Sequence, residues 1–382
     1  MSSAVLQKVE AHVFRVPIEE PVRTSFGTMT ERAAVFVRVE DSDGVPGWGE
    51  IWSNFPTMSA EHRALLLADI VAPRVLGRSI DDPVSLWAEI DRGLHVLRLQ
   101  SGDAGALSAA AAGLDLALHD LCARKRGLAL WRALGGSDGR PLPVYASGLN
   151  PGQAAFDTVE RLRGSGYRAF KIKIGFGLET DRESLQPVAA TLQSGERLMV
   201  DANQGWDVVT ACRMLPELRE FGLTWIEEPL AADRPAAEWI QVAAAAPAPL
   251  AGGENIRGAG AFQQAIESGL FGFLQPDVAK WGGHSGCLPV ARAALAAGRT
   301  YCPHFLGGAI GLMHSLHLLA AVRGPGLLEV DANRNPLRED VLGSLLDVTD
   351  GCVTLPDGQG LGLEPDLKPL ANFRSLHIER RA

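Results

Sequence analysis

The chain has 382 residues, 46% hydrophobic and 21% charged, with a net charge of −9. That length suits about two domains, or one large α/β barrel with an accessory piece, and the composition excludes disorder as the main state. The acidic balance leaves no global basic surface for nucleic acid or anionic lipid, so neither is an expected partner. Five scattered cysteines without a C-x-x-C pair argue for a reducing compartment and against a disulfide framework or zinc ribbon. Lys8, Glu10, His12 and Arg15 interrupt any signal-peptide core, and no apolar run reaches the roughly 18 residues of a membrane span. A soluble, cytoplasmic protein is expected.

In chain order, Val9, Ala11 and Val13, then Val35, Val37 and Val39 before Asp41-Ser42-Asp43-Gly44, alternate as antiparallel strands around a turn. Helical patterns follow near 61–76, 83–97 and 107–126, the last Ala-rich on most faces and therefore buried on several sides. Residues 1–130 thus read as an α+β unit. From Pro143 the rhythm changes to short apolar runs, each followed by a helical stretch. They are Val144–Ser147, Ala169–Ile174, Leu198–Val200, Leu223–Ile226, Leu250–Gly252, Phe271–Gln275, Thr300–Cys302 and Leu327–Val330. Such a succession suits a closed barrel better than an open sheet, and no glycine-rich nucleotide loop follows any run, so no nucleotide cofactor is indicated.

Catalytic groups of such barrels project from the C-terminal strand ends. Asp201, Glu227 and Glu254 close three consecutive runs. Singly each reads as a helix cap; in register they read as three converging carboxylates, a hard-oxygen set for Mg²⁺ or Mn²⁺. Lys171 and Lys173 share a face of their strand. Two ammonium groups about 6 Å apart repel by roughly 2.8 kcal/mol at an effective dielectric of 20, which is about two pK units and brings one lysine toward the 8s as a general base. As isolated residues they read as rim charge. Asp277 and His304 end adjacent strands and form a carboxylate–imidazole pair, although His304 alone reads equally as a packed histidine. Lys280 is read as support for the Gly282-Gly283 turn and given no role. His314 and His317 are read as core.

The ordered set Lys171-Ile172-Lys173, Val200-Asp201-Ala202-Asn203, Ile226-Glu227-Glu228-Pro229, Gly253-Glu254, Gln275-Pro276-Asp277 and Pro303-His304 resembles the mandelate racemase branch of the enolase superfamily. So do Gly113–Asp120, Leu134-Gly135-Gly136 and Pro356–Gly362. The resemblance implies an α/β fold, a modified TIM barrel (β/α)7β with an N-terminal α+β capping domain. Its divisions would be 1–130 for the cap, 131–354 for the barrel, and 355–382 for a segment returning to the cap. It also implies one Mg²⁺ per subunit on Asp201, Glu227 and Glu254, with Mn²⁺ as a substitute. Lys173 resembles the base and Lys171 its neighbour, Asp277 and His304 the dyad, and Glu329 the acid that meets a substrate carboxylate oxygen. Asp277, where the muconate-lactonising branch carries lysine, favours the mandelate racemase branch.

The shared first step implied is removal of a proton α to a carboxylate, giving an enediolate. The leading expectation is dehydration of an acid sugar to a 2-keto-3-deoxy acid. The segment Leu328–Asp331 with Asn335–Arg338 resembles sugar-acid members more than mandelate racemase itself. Racemisation or epimerisation of a 2-hydroxy acid and sugar-lactone cycloisomerisation are the alternatives, and a catalytically silent binding protein is the reading from another class. The partner expected is a small-molecule carboxylate bound by a homo-oligomer. Substrate choice is placed in two loops, Pro17–Thr30 and Glu50–Pro56, with Arg23, Trp52, Asn54 and the strand-end Asn203 as candidate contacts. As single residues Arg23, Trp52 and Asn54 read first as loop or packing positions.

Overall fold

The computed structural model describes residues 5–24, 27–56 and 58–382, without the side chains of Glu20 and Arg23. The N-terminal alternation forms an antiparallel sheet of β1 (Leu6–Thr24), β2 (Gly27–Asp41) and β3 (Pro46–Ile51). One face, with Val9, Val13, Val35 and Val37, packs on the cap helices. The stretch Pro17–Thr30, expected as a loop, instead prolongs the ladder: Val22 pairs with Met29 and Thr24 with Gly27. Both apolar partners are buried, so alternation continues past the point where Pro17 and Pro21 suggest a break. The helix expected near 61–76 is α-helical only to Leu66; it widens into a π-helical turn over Leu67–Val71 and then tightens into a 3-10 turn at Ala72–Arg74, where Pro73 lacks the N–H that an α-helix needs.

Cap and barrel meet along the helix Ala104–Lys125, buried on nearly every face. Within the cap, glycines let β3 pack closely on this helix. A Cβ on Gly49 would lie 2.2 Å from the Gly113 carbonyl oxygen, and one on Gly113 would lie 2.4 Å from Ile51. By length and composition this is the one helix among the described residues able to cross a membrane, but 89% of its apolar window is buried inside the fold. The close contact holds β3, and the loop after it, over the barrel.

The barrel strands are β4 (Leu142–Leu149), β5 (Ala169–Lys173), β6 (Arg197–Asp201), β7 (Ile226–Glu227), β8 (Leu250–Gly252), β9 (Phe271–Leu274), β10 (Thr300–Tyr301) and β11 (Leu328–Asp331). They pair in parallel in the order β10-β9-β8-β7-β6-β5-β4-β11. β12 (Cys352–Val353), absent from the sequence reading, adds antiparallel to β4, and β13 (Arg374–Arg381) returns to pair with β1. Tyr145, Ala169, Met199, Trp225, Ala251, Cys302 and Leu327 fill the barrel interior, with Phe273 packed against them. Side chains alternate across a strand, so stepping two residues at a time from these positions aims Lys171, Lys173, Asp201, Glu227, Gln275, Asp277, His304 and Glu329 along the barrel axis. Glu254 breaks this parity. It follows Gly253 at φ +141, where a Cβ would meet the Gln275 backbone at 2.8 Å.

Candidate active site

The ionisable strand ends stack in two layers above the apolar plug. In the lower layer Lys171 is buried and lies 2.6 Å from Glu227 Oε1 and 2.8 Å from Glu329 Oε1. The other Glu227 oxygen accepts from Trp225 Nε1 at 3.0 Å and Gln275 Nε2 at 2.7 Å. Glu329 Oε2 accepts the Phe305 N–H at 2.9 Å. In the upper layer Lys173 donates to Asn203 Oδ1 and sits 3.6 Å from Asp201 Oδ2. Across from it, His304 Nδ1 lies 2.7 Å from Asp277 Oδ2, and its Nε2 lies 2.6 Å from Glu254 Oε2.

A cavity of about 630 Å³ opens above this floor, walled on the cap side by Val22, Met29, Trp52 and Asn54. Lys173, Asp201, Asn203, Glu254, Lys280 and His304 face it. Lys171, Glu227, Asp277 and Glu329 lie beneath as supports. A larger cleft of about 820 Å³ runs outside the barrel between Trp239 and Phe271 and has neither lysine nor histidine on its walls. The chemistry therefore belongs to the smaller cavity. Of the expected cap contacts, Trp52 and Asn54 are on its wall, and Asn54 Oδ1 accepts from the buried Arg32 at 2.9 Å. The Arg23 side chain lies outside the described residues.

Two expectations change. The lysine pair is expected to lower one pKa by mutual repulsion. Burial does work against the Lys171 charge, but the adjacent Glu227 and Glu329 carboxylates outweigh it and hold that ammonium well above its ordinary range. The ligand oxygens of Asp201, Glu227 and Glu254 are expected to converge. Among the described residues the group of three His, Cys, Asp or Glu atoms within 4.8 Å of one another is instead Glu10, His12 and His377, out on the cap sheet. Buried carboxylates require compensation, and here each has its own cation: Lys171 for Glu227, Lys173 near Asp201, and His304 with Lys280 for Glu254.

The electrostatics follow that pairing. Burial raises Glu227 to about 7 despite Lys171, with Asp201 adding to the rise. Burial would likewise raise Glu254 and Glu329. His304 and Lys280 instead hold Glu254 well below the ordinary carboxylate range, and Lys171 and His304 bring Glu329 to about 2. His304 is desolvated, yet Glu254, Glu329 and Asp277 raise it well above an ordinary imidazole.

The donor set nevertheless fits a hard divalent cation. Asp201 and Glu227 are direct neighbours in the β6–β7 ladder, and the ligands are all oxygen. Two of the compensating cations, Lys171 and Lys280, are ammonium groups on flexible stems able to withdraw.

Lys280 is the residue the sequence reading misplaced. Its Nζ lies 2.9 Å from Glu254 Oε2 and 4.2 Å from the centre of the Trp52 ring. Asp277 accepts the backbone N–H groups of Ala279 and Lys280 through Oδ1, and this Asx-type turn swings Lys280 into the site. An Asp at a strand end followed by a short turn was the available signal. Glu228 was also passed over. It is buried, adopts φ +38, accepts from Asn255 Nδ2 at 3.0 Å, and is pushed well above the carboxylate range by burial and by Glu254 and Asp201.

A capped parallel barrel that gathers lysines, carboxylates and an Asp–His pair at its C-terminal strand ends defines the enolase-type class of α/β barrels. Residues 154–369 match the family model "Enolase C-terminal domain-like", and residues 8–135 match "Mandelate racemase / muconate lactonizing enzyme, N-terminal domain". The chain is similar to D-galactarolactone cycloisomerase of Agrobacterium fabrum, with 30% identity over 96% of this chain and 98% of that protein. A crystal structure of a mandelate racemase/muconate lactonizing enzyme from Bordetella bronchiseptica RB50 superposes with a TM-score of 0.91 at 50% identity, covering 97% of this chain and 99% of that one. L-talarate/galactarate dehydratase of Salmonella typhimurium LT2, liganded with Mg and L-lyxarohydroxamate, superposes at 0.85 with 27% identity, covering 100% and 95%. The chain belongs to the mandelate racemase/muconate lactonizing enzyme family of the enolase superfamily.

Proposed function

We propose that the protein is a Mg²⁺-dependent enzyme that removes the proton α to the carboxylate of an acid sugar and eliminates the β-oxygen, giving a 2-keto-3-deoxy acid. The observation that carries this is the placement of Lys173 and His304 on facing walls of one cavity, the imidazole held by Asp277 at 2.7 Å. Asp201, Glu227 and Glu254 are assigned to hold the ion, with Mn²⁺ as a substitute. When bound, the ion supplies positive charge opposite the enediolate oxygens.

The neutral amine form of Lys173 takes the α-proton at Nζ and becomes the ammonium, and the C–H electron pair forms the enediolate. Lys171, buried below and held charged by Glu227 and Glu329, is assigned to stabilise the substrate carboxylate as its charge grows. The β C–O bond then breaks, its electron pair leaving with the oxygen while His304 Nε2 delivers a proton to it. The resulting enol tautomerises to the 2-keto acid. Asp277 keeps Nδ1 protonated and so leaves Nε2 as the proton-carrying edge.

The same proton inventory serves a lactone whose ring oxygen occupies the β position. The full-length similarity to D-galactarolactone cycloisomerase favours this cycloisomerisation as the second reading. A screen of C4–C6 acid sugars and their lactones with Mg²⁺, read by semicarbazone absorbance and by deuterium exchange at the α-carbon, tests both. Product from open-chain acids supports dehydration, and product from lactones alone transfers the assignment to cycloisomerisation. Exchange without any 2-keto product favours epimerisation, and neither signal with any acid overturns the proposal.

A further inference from the structure

We infer that Arg63 and Arg257 form a subsite for a second carboxylate at the far end of the cavity, so that the substrate is a dicarboxylate of about six carbons rather than a monoacid. This rests on the acid-sugar reading above and narrows it.

Arg32 is charge-paired with Asp331 at 2.7 Å and donates to Asn54, although its Nε has no acceptor. Lys280 and His304 share Glu254, and Lys173 lies against Asp201. That leaves Arg63 and Arg257, which both line the cavity and have no carboxylate within ion-pair distance among the described residues. Arg63 stands on the cap helix Ser59–Leu66, donates to Ser59 Oγ and places its guanidinium 5.6 Å from the centre of the Trp52 ring. Its Nε is buried with no acceptor, and so is Trp52 Nε1 beside it. The nearest acidic influence on Arg63, Asp103, is bonded to His62 at 2.5 Å. Burial, together with the neighbouring Arg257, brings Arg63 down to about 10 against the pull of Asp103, which still leaves it charged at neutral pH.

Two neighbouring guanidiniums on one cavity wall and spare N–H donors match a carboxylate, which accepts several charge-assisted bonds in one plane. The span also matches. Lys280 Nζ, 2.9 Å from Glu254, lies 4.2 Å from the centre of the Trp52 ring, and Arg63 Cζ lies 5.6 Å from it, which keeps Arg63 within about 10 Å of the Glu254 end of the cavity, where the ion and the reacting carboxylate are assigned. At about 1.5 Å per bond, an extended six-carbon chain separates its end carbons by roughly 6 Å, leaving bonding distance at each end.

The test compares aldarates with aldonates of matched stereochemistry, and adipate with hexanoate as non-reacting probes by titration calorimetry in Mg²⁺. The subsite predicts tighter binding of adipate than hexanoate by wild type, a preference lost in Arg63→Gln and Arg257→Gln. For turnover it predicts that each variant raises KM for aldarates about tenfold, with kcat within about threefold and aldonate KM unchanged. Equal binding of adipate and hexanoate by wild type overturns the inference. So does an equal rise of KM for both acid classes, or clear preference for a terminally phosphorylated aldonate. A protein that shows the adipate preference but neither turnover nor exchange refutes the proposed reaction while sustaining the subsite.

Discussion

Replacing Asp277 by Asn removes one charge and little else. Asp277 Oδ1 accepts the Ala279 and Lys280 N–H groups at 2.8 and 3.1 Å, and an Asn oxygen retains both, so the turn stays in place. Oδ2, 2.7 Å from His304 Nδ1, becomes an NH₂ group. It then faces a ring nitrogen that must turn acceptor, which moves the single proton of the neutral imidazole to Nε2 and withdraws the anion that stabilises imidazolium. A pair of unit charges about 4 Å apart interacts by about 4 kcal/mol at an effective dielectric of 20, equivalent to about a thousandfold in rate. We therefore expect Asp277→Asn to form 2-keto product about 10³-fold more slowly. Proton exchange on the Lys173 side should stay within about threefold of wild type, since that wall is untouched. Semicarbazone absorbance reads the first quantity, proton NMR in deuterium oxide the second, and the thermal midpoint reports the fold. A variant that keeps more than about a tenth of the wild-type product rate refutes the assignment of His304 as the acid held by Asp277.

Glu254→Gln should abolish tight Mg²⁺ binding in titration calorimetry and turnover together, because one charge of the ligand set is lost; undiminished activity in excess chelator contradicts this. Lys173→Ala should stop exchange of one α-configuration and His304→Asn the other. If either single variant exchanges both at the wild-type rate, the two-wall arrangement is wrong. Far from the site, burial and the adjacent His377 lower His12 from 6.5 to about 4, and both of its ring nitrogens lack partners. Over that interval the unfolded chain binds more protons than the fold, so stability should fall as pH drops from 6.5 toward 4, by about 3 kcal/mol in the limit. His12→Phe keeps a ring beside Trp48 and His377 and should lose that component. Identical shifts of the urea midpoint with pH in wild type and variant count against it.

Much of the site was legible because a barrel strand obeys period two. Once the apolar runs are found, the residues that close them fall on the axis, and the types at those positions (Lys171, Lys173, Asp201, Glu227, Asp277, His304, Glu329) are too ionisable for a core. Glu254 was found from its place in the series of strand ends, not from parity, and Gly253 supplies the twist that returns it to the axis. The cap was legible as an α+β unit. The extent of its hairpin was not, because the prolines at 17 and 21 mimic a loop while Val22 and Met29 pair across it.

The amino-acid sequence by itself determined which groups stand at which strand end, since alternation is local and survives without knowledge of neighbours. Only the tertiary structure decided who pairs with whom. Lys171 and Lys173 share a strand face, yet they differ by one layer of depth. The lower is enclosed by Glu227 and Glu329, while the upper reaches the cavity. Lys280 entered the site through an Asx-type turn, and Arg63 arrived from a cap helix nearly two hundred residues earlier in the chain than Arg257. Coulomb interactions depend on separation in space and on burial, not on distance along the chain. The compensation of each charge, and with it the cavity's remaining appetite for an anion, appears only when the elements are packed together.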